Sequence, residues 1–160
     1  MADLRRQTCC FTGHRAIPPH VRRVLQAKAE GVIKELYSQG IIYYGCGGAL
    51  GFDTMMAKTS FKLRDSVCPR MRVILVYPFD GYTERWNLLQ QAAHNQMLKK
   101  FDKIVRVSKV DGREAYLERN RHLVNNSSVC VAYCVEQSGG TAYTVRYARE
   151  RGLRIINLAN

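Results

Sequence analysis

No CxxC pair occurs among the six cysteines, and only four prolines and one tryptophan occur in 160 residues. The spacing of the cysteines excludes a zinc ribbon and a dithiol redox motif. Most of them (9, 10, 46, 68, 130 and 134) sit inside apolar runs and read as small buried hydrophobes, the usage expected of a reduced, cytosolic protein. The longest apolar run, Val129 to Val135, falls far short of the roughly 18 residues a membrane span needs, so no membrane partner is expected. The opening MADLRRQT is basic but is followed by no apolar stretch of secretory-signal length. His14, His20, His94 and His122 lack metal-ligand spacing, and no structural metal is expected. Neither GxSxG nor a Cys/His signature marks a nucleophile.

Charge of one sign is abundant but nowhere concentrated. The net charge is +12, and each half of the chain carries +6, so there is no basic arm or block of the kind that marks a nucleic-acid tail. An excess of this size suits an anionic partner, although a solvated basic surface accounts for most of these side chains. The length suits one domain, residues 1–160, in which about 70% of the unfolded surface is buried.

Short apolar runs alternate with longer amphipathic stretches. Strands are expected at Thr8–Thr12, Ile41–Tyr44, Arg72–Phe79, Lys103–Val107, Val129–Cys134 and Leu153–Leu158. Helices are expected from Pro18-Pro19 to Gly40, Phe52 to about Asp65, Thr83–Lys100, Arg113–Asn125 and Thr141–Arg151. In the third helix Trp86, Leu89, Ala93 and Met97 share one side. Strict alternation implies right-handed crossovers and a mainly parallel sheet of about six strands between two helical layers, a Rossmann-like three-layer α/β/α sandwich.

Ligands of such sheets bind beyond the carboxyl ends of the strands, and four junctions there carry unusual residues. Gly13-His14-Arg15 follows the first strand; it offers close backbone approach and a guanidinium fork, or is simply a tight turn. GCGGALG follows the second strand, where Gly47 and Gly48 precede a helix and can free amides for an anion. The run is neither a P-loop nor GxGxxG. Asp53 beyond it suits a ribose hydroxyl or the first turn of the helix. Tyr77-Pro78-Phe79-Asp80 ends the third strand with Trp86 beyond, either a stacking wall for a base or part of the core. Ser138-Gly139-Gly140-Thr141 repeats the strand–glycine–helix pattern, with Thr141 placed to cap the helix or to bond an oxygen. Arg119-Asn120 on the fourth helix is a charged face or a clamp for phosphate or sugar. One helix terminus contributes only about 0.3–2 kcal/mol toward an anion, whereas micromolar affinity needs about 8 kcal/mol. Several loops must therefore converge on one large phosphorylated ligand.

TGHR (12–15), GGALGFD (47–53), Pro78-Phe79 with Trp86, Arg119-Asn120 and GGT-x-YT-x-x-YA from Gly139 together resemble the YpsA/YoqJ-like proteins of the SLOG superfamily. That superfamily also holds the DNA-processing protein DprA and the LOG nucleotide hydrolases. The resemblance spans nearly the whole chain. It implies a Rossmann-like domain that binds or senses a nucleotide or nucleotide-derived ligand, such as an ADP-ribose- or NAD-related molecule. It also implies a bacterial cytoplasmic setting and, for some members, a link to cell division or stress. Carried over residue by residue, Gly13, His14 and Arg15 form a first-loop contact. Gly47, Gly48 and Asp53 form one cradle, Gly139, Gly140 and Thr141 a second, and Trp86, Arg119 and Asn120 line the side.

Two departures bear on chemistry. Relatives often read V-D-x-S-D where this chain has Val124-Asn125-Asn126-Ser127-Ser128, which puts a metal or acid–base role there in doubt. LOG hydrolases place a glutamate where Val145 stands, and valine can neither move a proton nor stabilise an oxocarbenium-like charge. Binding without turnover is therefore the leading expectation. A LOG-like hydrolase using Glu84 or Asp53 is one alternative, and a DprA-like binder of single-stranded nucleic acid is another. A homodimer through a helix face would be common for such folds. The leading reading expects Gly48→Asp and Gly140→Asp each to abolish ligand binding without unfolding the protein.

Overall fold

A computed structural model describes residues 3–160. After a one-turn 3-10 helix, Leu4–Gln7, the strands are β1 (Thr8–Gly13), β2 (Tyr43–Cys46), β3 (Arg72–Tyr77), β4 (Lys103–Arg106), β5 (Val129–Tyr133) and β6 (Arg154–Asn157). The helices between them are α1 (Pro19–Ser38), α2 (Phe52–Arg64), α3 (Leu88–Leu98), α4 (Arg113–Asn125) and α5 (Gly140–Glu150). All strand pairs are parallel, in the order β4-β3-β2-β1-β5-β6. The expected three-layer Rossmann-like architecture is the one found.

Because consecutive side chains of a strand point to opposite faces, the β1 run Cys9-Cys10-Phe11 feeds two cores. Cys9 and Phe11 join Ile33, Leu36, Tyr44, Phe52, Met56 and Val73 beneath α1, α2 and α3. Cys10 joins Val76, Leu123, Val124, Cys130, Ala132, Val145 and Ala148 beneath α4 and α5. The six cysteines are free thiols, five buried and Cys134 half-buried. No described helix is long and apolar enough to cross a membrane.

Two elements differ from expectation. The second strand is Tyr43–Cys46 rather than Ile41–Tyr44. Gly45 continues the ladder there, because its missing side chain admits Leu123 Cδ2, which a Cβ would meet at 2.9 Å. The third helix starts at Leu88, not Thr83. Asn87 caps it by accepting from Gln90 N at 2.8 Å, while the Gln90 side chain accepts from Asn87 N at 3.1 Å. This reciprocal capping box sets the start, and the residues before it form turns. The packed face of α3 is accordingly His94 and Met97, whereas Leu89 is 84% exposed and Ala93 is exposed.

Candidate functional site

The order of strands reverses between β1 and β5, since β2 lies on one side of β1 and β5 on the other. A cavity of about 560 Å³ opens at the carboxyl ends of these strands, where ligands of open α/β sheets bind. It gathers residues from three of the four junctions singled out in the sequence, Gly13 ending β1 with His14 and Arg15 beyond it, Asp53 at the start of α2, and Gly139, Gly140 and Thr141 at the start of α5, together with Arg119 and Asn120 from the middle of α4; the junction after β3, Tyr77–Asp80, does not line it. Nine of the twelve expected site residues therefore line one space. Gly47, Gly48 and Trp86 do not.

Asp53 and Arg119 form its floor. Asp53 is 7% exposed and Arg119 5%. Asp53 Oδ2 accepts from Ala49 N at 3.3 Å, while Oδ1, equally buried, has no partner. Burial raises the Asp53 pKa from 3.8 to about 6, against the opposing pull of Arg119, the Ala49 amide and Arg15. Arg119 is pulled the other way: burial lowers its pKa, and Asp53 counters that. Its guanidinium donates to the Gly47 carbonyl and, through Nε, to Asn120 Oδ1 at 2.7 Å. Arg119 thus clamps the first glycine turn, and Asn120 orients Arg119. The Tyr116 ring lies against both Arg15 (5.9 Å) and Arg119 (5.7 Å).

The two glycine-rich turns differ in what surrounds them. A Cβ at Gly47 would lie 2.8 Å from Asp53 Oδ2, and one at Gly48 would lie 2.7 Å from Tyr82 Oη and 2.8 Å from Leu75. At Gly51 it would strike the Arg15 backbone, and at Gly13 the Phe52 ring. These glycines let the chain pack on itself. Gly47 and Gly48 are therefore not the open cradle expected of them. Gly139 and Gly140 have nothing within 4 Å of a would-be Cβ, and their turn is open.

His14 serves the open turn from below. The Val135 and Glu136 amides donate to its Nε2 at 2.9 and 3.4 Å, so the neutral ring carries its proton on Nδ1 and steadies the segment leading to Gly139. Trp86 packs edge-on against Tyr82 and His94, and Tyr82 Oη lies 2.6 Å from His94 Nε2. That cluster backs Gly48, so Trp86 buttresses the first turn and is no stacking wall in the cavity. Thr141 lies one residue inside α5 and does not cap it; the cap is Gly139, with no side-chain bond.

Missing caps recur around the cavity. Gly51, Gly112 and Gly139 are the N-caps of α2, α4 and α5, with φ of +80°, +125° and +95°, and none has a side-chain cap. At the start of α2 the Phe52 amide donates to the His14 carbonyl at 3.1 Å, so α4 and α5 are the helices whose first amides are left free. On α3, whose first turn does not line the cavity, both capping bonds are made. Sequence reasoning missed Arg113, Tyr116, Leu117, Tyr143 and Arg146, which also line the space. Arg113 opens α4 directly after Gly112, and Tyr143 and Arg146 stand one and two turns into α5, so position relative to the glycine caps was the available signal. Asp53 is the one carboxylate among the lining residues, beside Arg15, Arg113, Arg119 and Arg146. Glu84 lies outside, exposed beside Gly81, and Val145 is buried under α5. No group of three or more His, Cys, Asp or Glu side chains that could hold a metal ion occurs among the described residues.

Two solved structures share this fold. DNA processing protein A from Helicobacter pylori, described for its single-stranded DNA binding mode, superposes with a TM-score of 0.65 at 18% identity, over 93% of this chain and 63% of that one. DprA from Streptococcus pneumoniae gives 0.64 at 15% identity, over 95% of this chain and 50% of that one. The chain thus spans about half to three-fifths of these neighbours. No curated protein matches it. The profile of the YpsA (YspA SLOG) family matches residues 9–154, nearly the full length and every junction of the cavity, and the chain belongs to that family.

Proposed function

We propose that the cavity binds a phosphorylated nucleotide or nucleotide-derived ligand, with ADP-ribose- and NAD-related molecules as first candidates. The observation that carries this reading is the convergence of two uncapped helix starts, those of α4 and α5, and four arginines on one space with a single carboxylate. Each terminus contributes about 0.3–2 kcal/mol toward an anion, and each charge-assisted hydrogen bond about 1.5–3 kcal/mol. Two termini and two or three such bonds reach the roughly 8 kcal/mol of micromolar binding. Asp53, the one carboxylate of the lining, suits a ribose hydroxyl beside the phosphates. The phosphates then sit over Gly139-Gly140, where nothing of the protein fills the space.

The test is a thermal-shift screen of nucleotides, ADP-ribose and NAD derivatives, with product analysis on each hit. A ligand at 100 times its dissociation constant adds about 2.7 kcal/mol of stability. A shift with the ligand intact identifies the bound molecule, and one with the ligand consumed adds turnover to the binding reading. A panel that produces no shift overturns the proposal.

A further inference from the structure

The apolar spacing Trp86, Leu89, Ala93 and Met97 reads from sequence as the buried stripe of the third helix, yet α3 buries only His94 and Met97. On its opposite side Leu88 is 83% and Leu89 84% exposed, and Ala92, Ala93, Asn95 and Gln96 are exposed with them. At 3.6 residues per turn, Leu88, Ala92 and Gln96 run down the middle of that outer side, with Leu89 next to them. Of the five described helices, α3 is also the one without a charged residue, in a chain of net charge +12.

Two successive exposed leucines on an uncharged face mark a contact surface, and charge selects the occupant. An acidic partner would be drawn to the basic surfaces rather than to a helix with no charge. A second copy is repelled wherever like charges would be brought together, and α3 is where two copies can meet without that cost. We propose that the outer side of α3 is the contact of a homodimer, the two helices running antiparallel across a two-fold axis at Ala92. The flanks set the direction. Glu84 and Arg85 precede the helix, Lys99 and Lys100 follow it, and all four are exposed. A parallel pair would gather four ammonium groups at one end, whereas an antiparallel pair sets each lysine pair beside Glu84 and Arg85 of the other copy. The small Ala92 side chains let the helices approach at the axis, and each Leu88 falls against Ala92 and Gln96 of the other copy. None of these residues lines the cavity, so the pairing stands apart from the nucleotide reading. A helix of 11 residues is about 16 Å long and covers less than the roughly 800 Å² per partner of a standard interface. The dimer is therefore expected to be reversible.

The experiment is sedimentation equilibrium of the full chain from about 1 μM to about 1 mM, the span over which weak pairs form. The mass should rise from 18.3 kDa toward twice that value. Added salt should strengthen the pairing, because it screens repulsion between like-charged copies and leaves an apolar contact intact. Leu88→Lys and Leu89→Lys should each hold the mass at 18.3 kDa throughout, with melting temperatures unchanged because both side chains are exposed. Ala92→Cys, at the axis, should be locked as a disulfide-linked dimer by diamide, while the unaltered protein, with its cysteines buried or half-buried, should not. A chain that stays monomeric at every concentration overturns the pairing and leaves the face to a different protein. A dimer that persists in both leucine variants uses another surface, and one that weakens as salt is added is held by charge; either result overturns the proposal. So does a dimer that Ala92→Cys fails to lock.

Discussion

Gly45–Gly51 and Ser138–Thr141 are both glycine-rich turns between a strand and a helix, yet one is packed shut and the other open. In the first, the missing side chains make room for Asp53, Arg119, Tyr82 and the Arg15 backbone. In the second they make room for nothing in the protein. Glycine before a helix therefore has two meanings. It can free amides for a ligand, or it can let a strand end, a helix start and a neighbouring loop meet at a distance no Cβ allows. Only the surroundings distinguish them, and here the closed turn holds the floor of the cavity while the open one borders its mouth.

The largest effect that separates the turns is on folding. Gly51→Ala adds a Cβ onto the Arg15 backbone at a φ of +80°. Overpacking typically costs 1–3 kcal/mol and a strained left-handed residue a further 1–3 kcal/mol, so a loss of about 3 kcal/mol or more is expected in urea unfolding. A loss under about 1 kcal/mol would mean that the first turn is as open as the second. Gly48→Asp, expected from sequence to spare the fold, belongs with this group: it meets Tyr82 and Leu75 at a φ of +78°.

Asp53 gives the closed turn a pH signature. Its folded pKa of about 6 lies above the ordinary 3.8, so the folded state holds the proton more tightly than the unfolded chain. The stability this confers is complete below about pH 4 and is lost as pH rises through about 6. The shift corresponds to about 3 kcal/mol over that window. Asp53→Asn removes that slope whatever it does to absolute stability through Arg119. Parallel stability-versus-pH curves for the two proteins would show that the carboxyl is not buried as described. A smaller effect is expected behind the turn. Tyr82→Phe deletes the hydrogen bond to His94 and lowers stability by about 1 kcal/mol. A ligand affinity unchanged in that variant would confirm that the Tyr82–Trp86–His94 cluster supports the turn from outside the cavity.

Much of this arrangement was legible beforehand. Alternating apolar runs and glycine or proline stops are enough to place six strands and five helices in order, and the carboxyl-end rule selects three junctions that converge and a fourth, after β3, that does not. What stayed hidden depended on residues distant in the chain. Whether Gly48 faces ligand or protein is decided by Tyr82 and Leu75, and Gly47 by Arg119; no local pattern carries that information. Trp86 reads from sequence as a stacking wall or as part of the core, and the resemblance puts it beside the ligand; the choice is made by Tyr82 and by His94 from the next helix, which take its ring. The misplaced start of α3 is a different kind of error. Asn87-x-x-Gln90 is a capping signature readable in the sequence, and it was outweighed by an apolar spacing through Trp86 and Leu89 that the fold does not use.

The sharpest contrast between the turns comes from the change with the smallest cost to the fold. Gly140 is the first residue of α5, with open space at its would-be Cβ and no positive φ. Gly140→Asp therefore meets no clash, and a carboxylate in the first turn of a helix is favourable by about 0.3–1 kcal/mol. The same carboxylate occupies the position where an anionic ligand would approach the free amides. Melting temperature without ligand should stay level or rise slightly, while ligand-induced stabilisation disappears, so one substitution moves the two readouts in opposite directions. Gly140→Ala, which adds bulk without charge, separates repulsion from steric block: a partly retained shift assigns the loss in Gly140→Asp to charge. If Gly140→Asp bound ligand as the unaltered protein does, the open turn would not be the anion site, and the phosphates would have to lie against Arg15 and Arg119 instead.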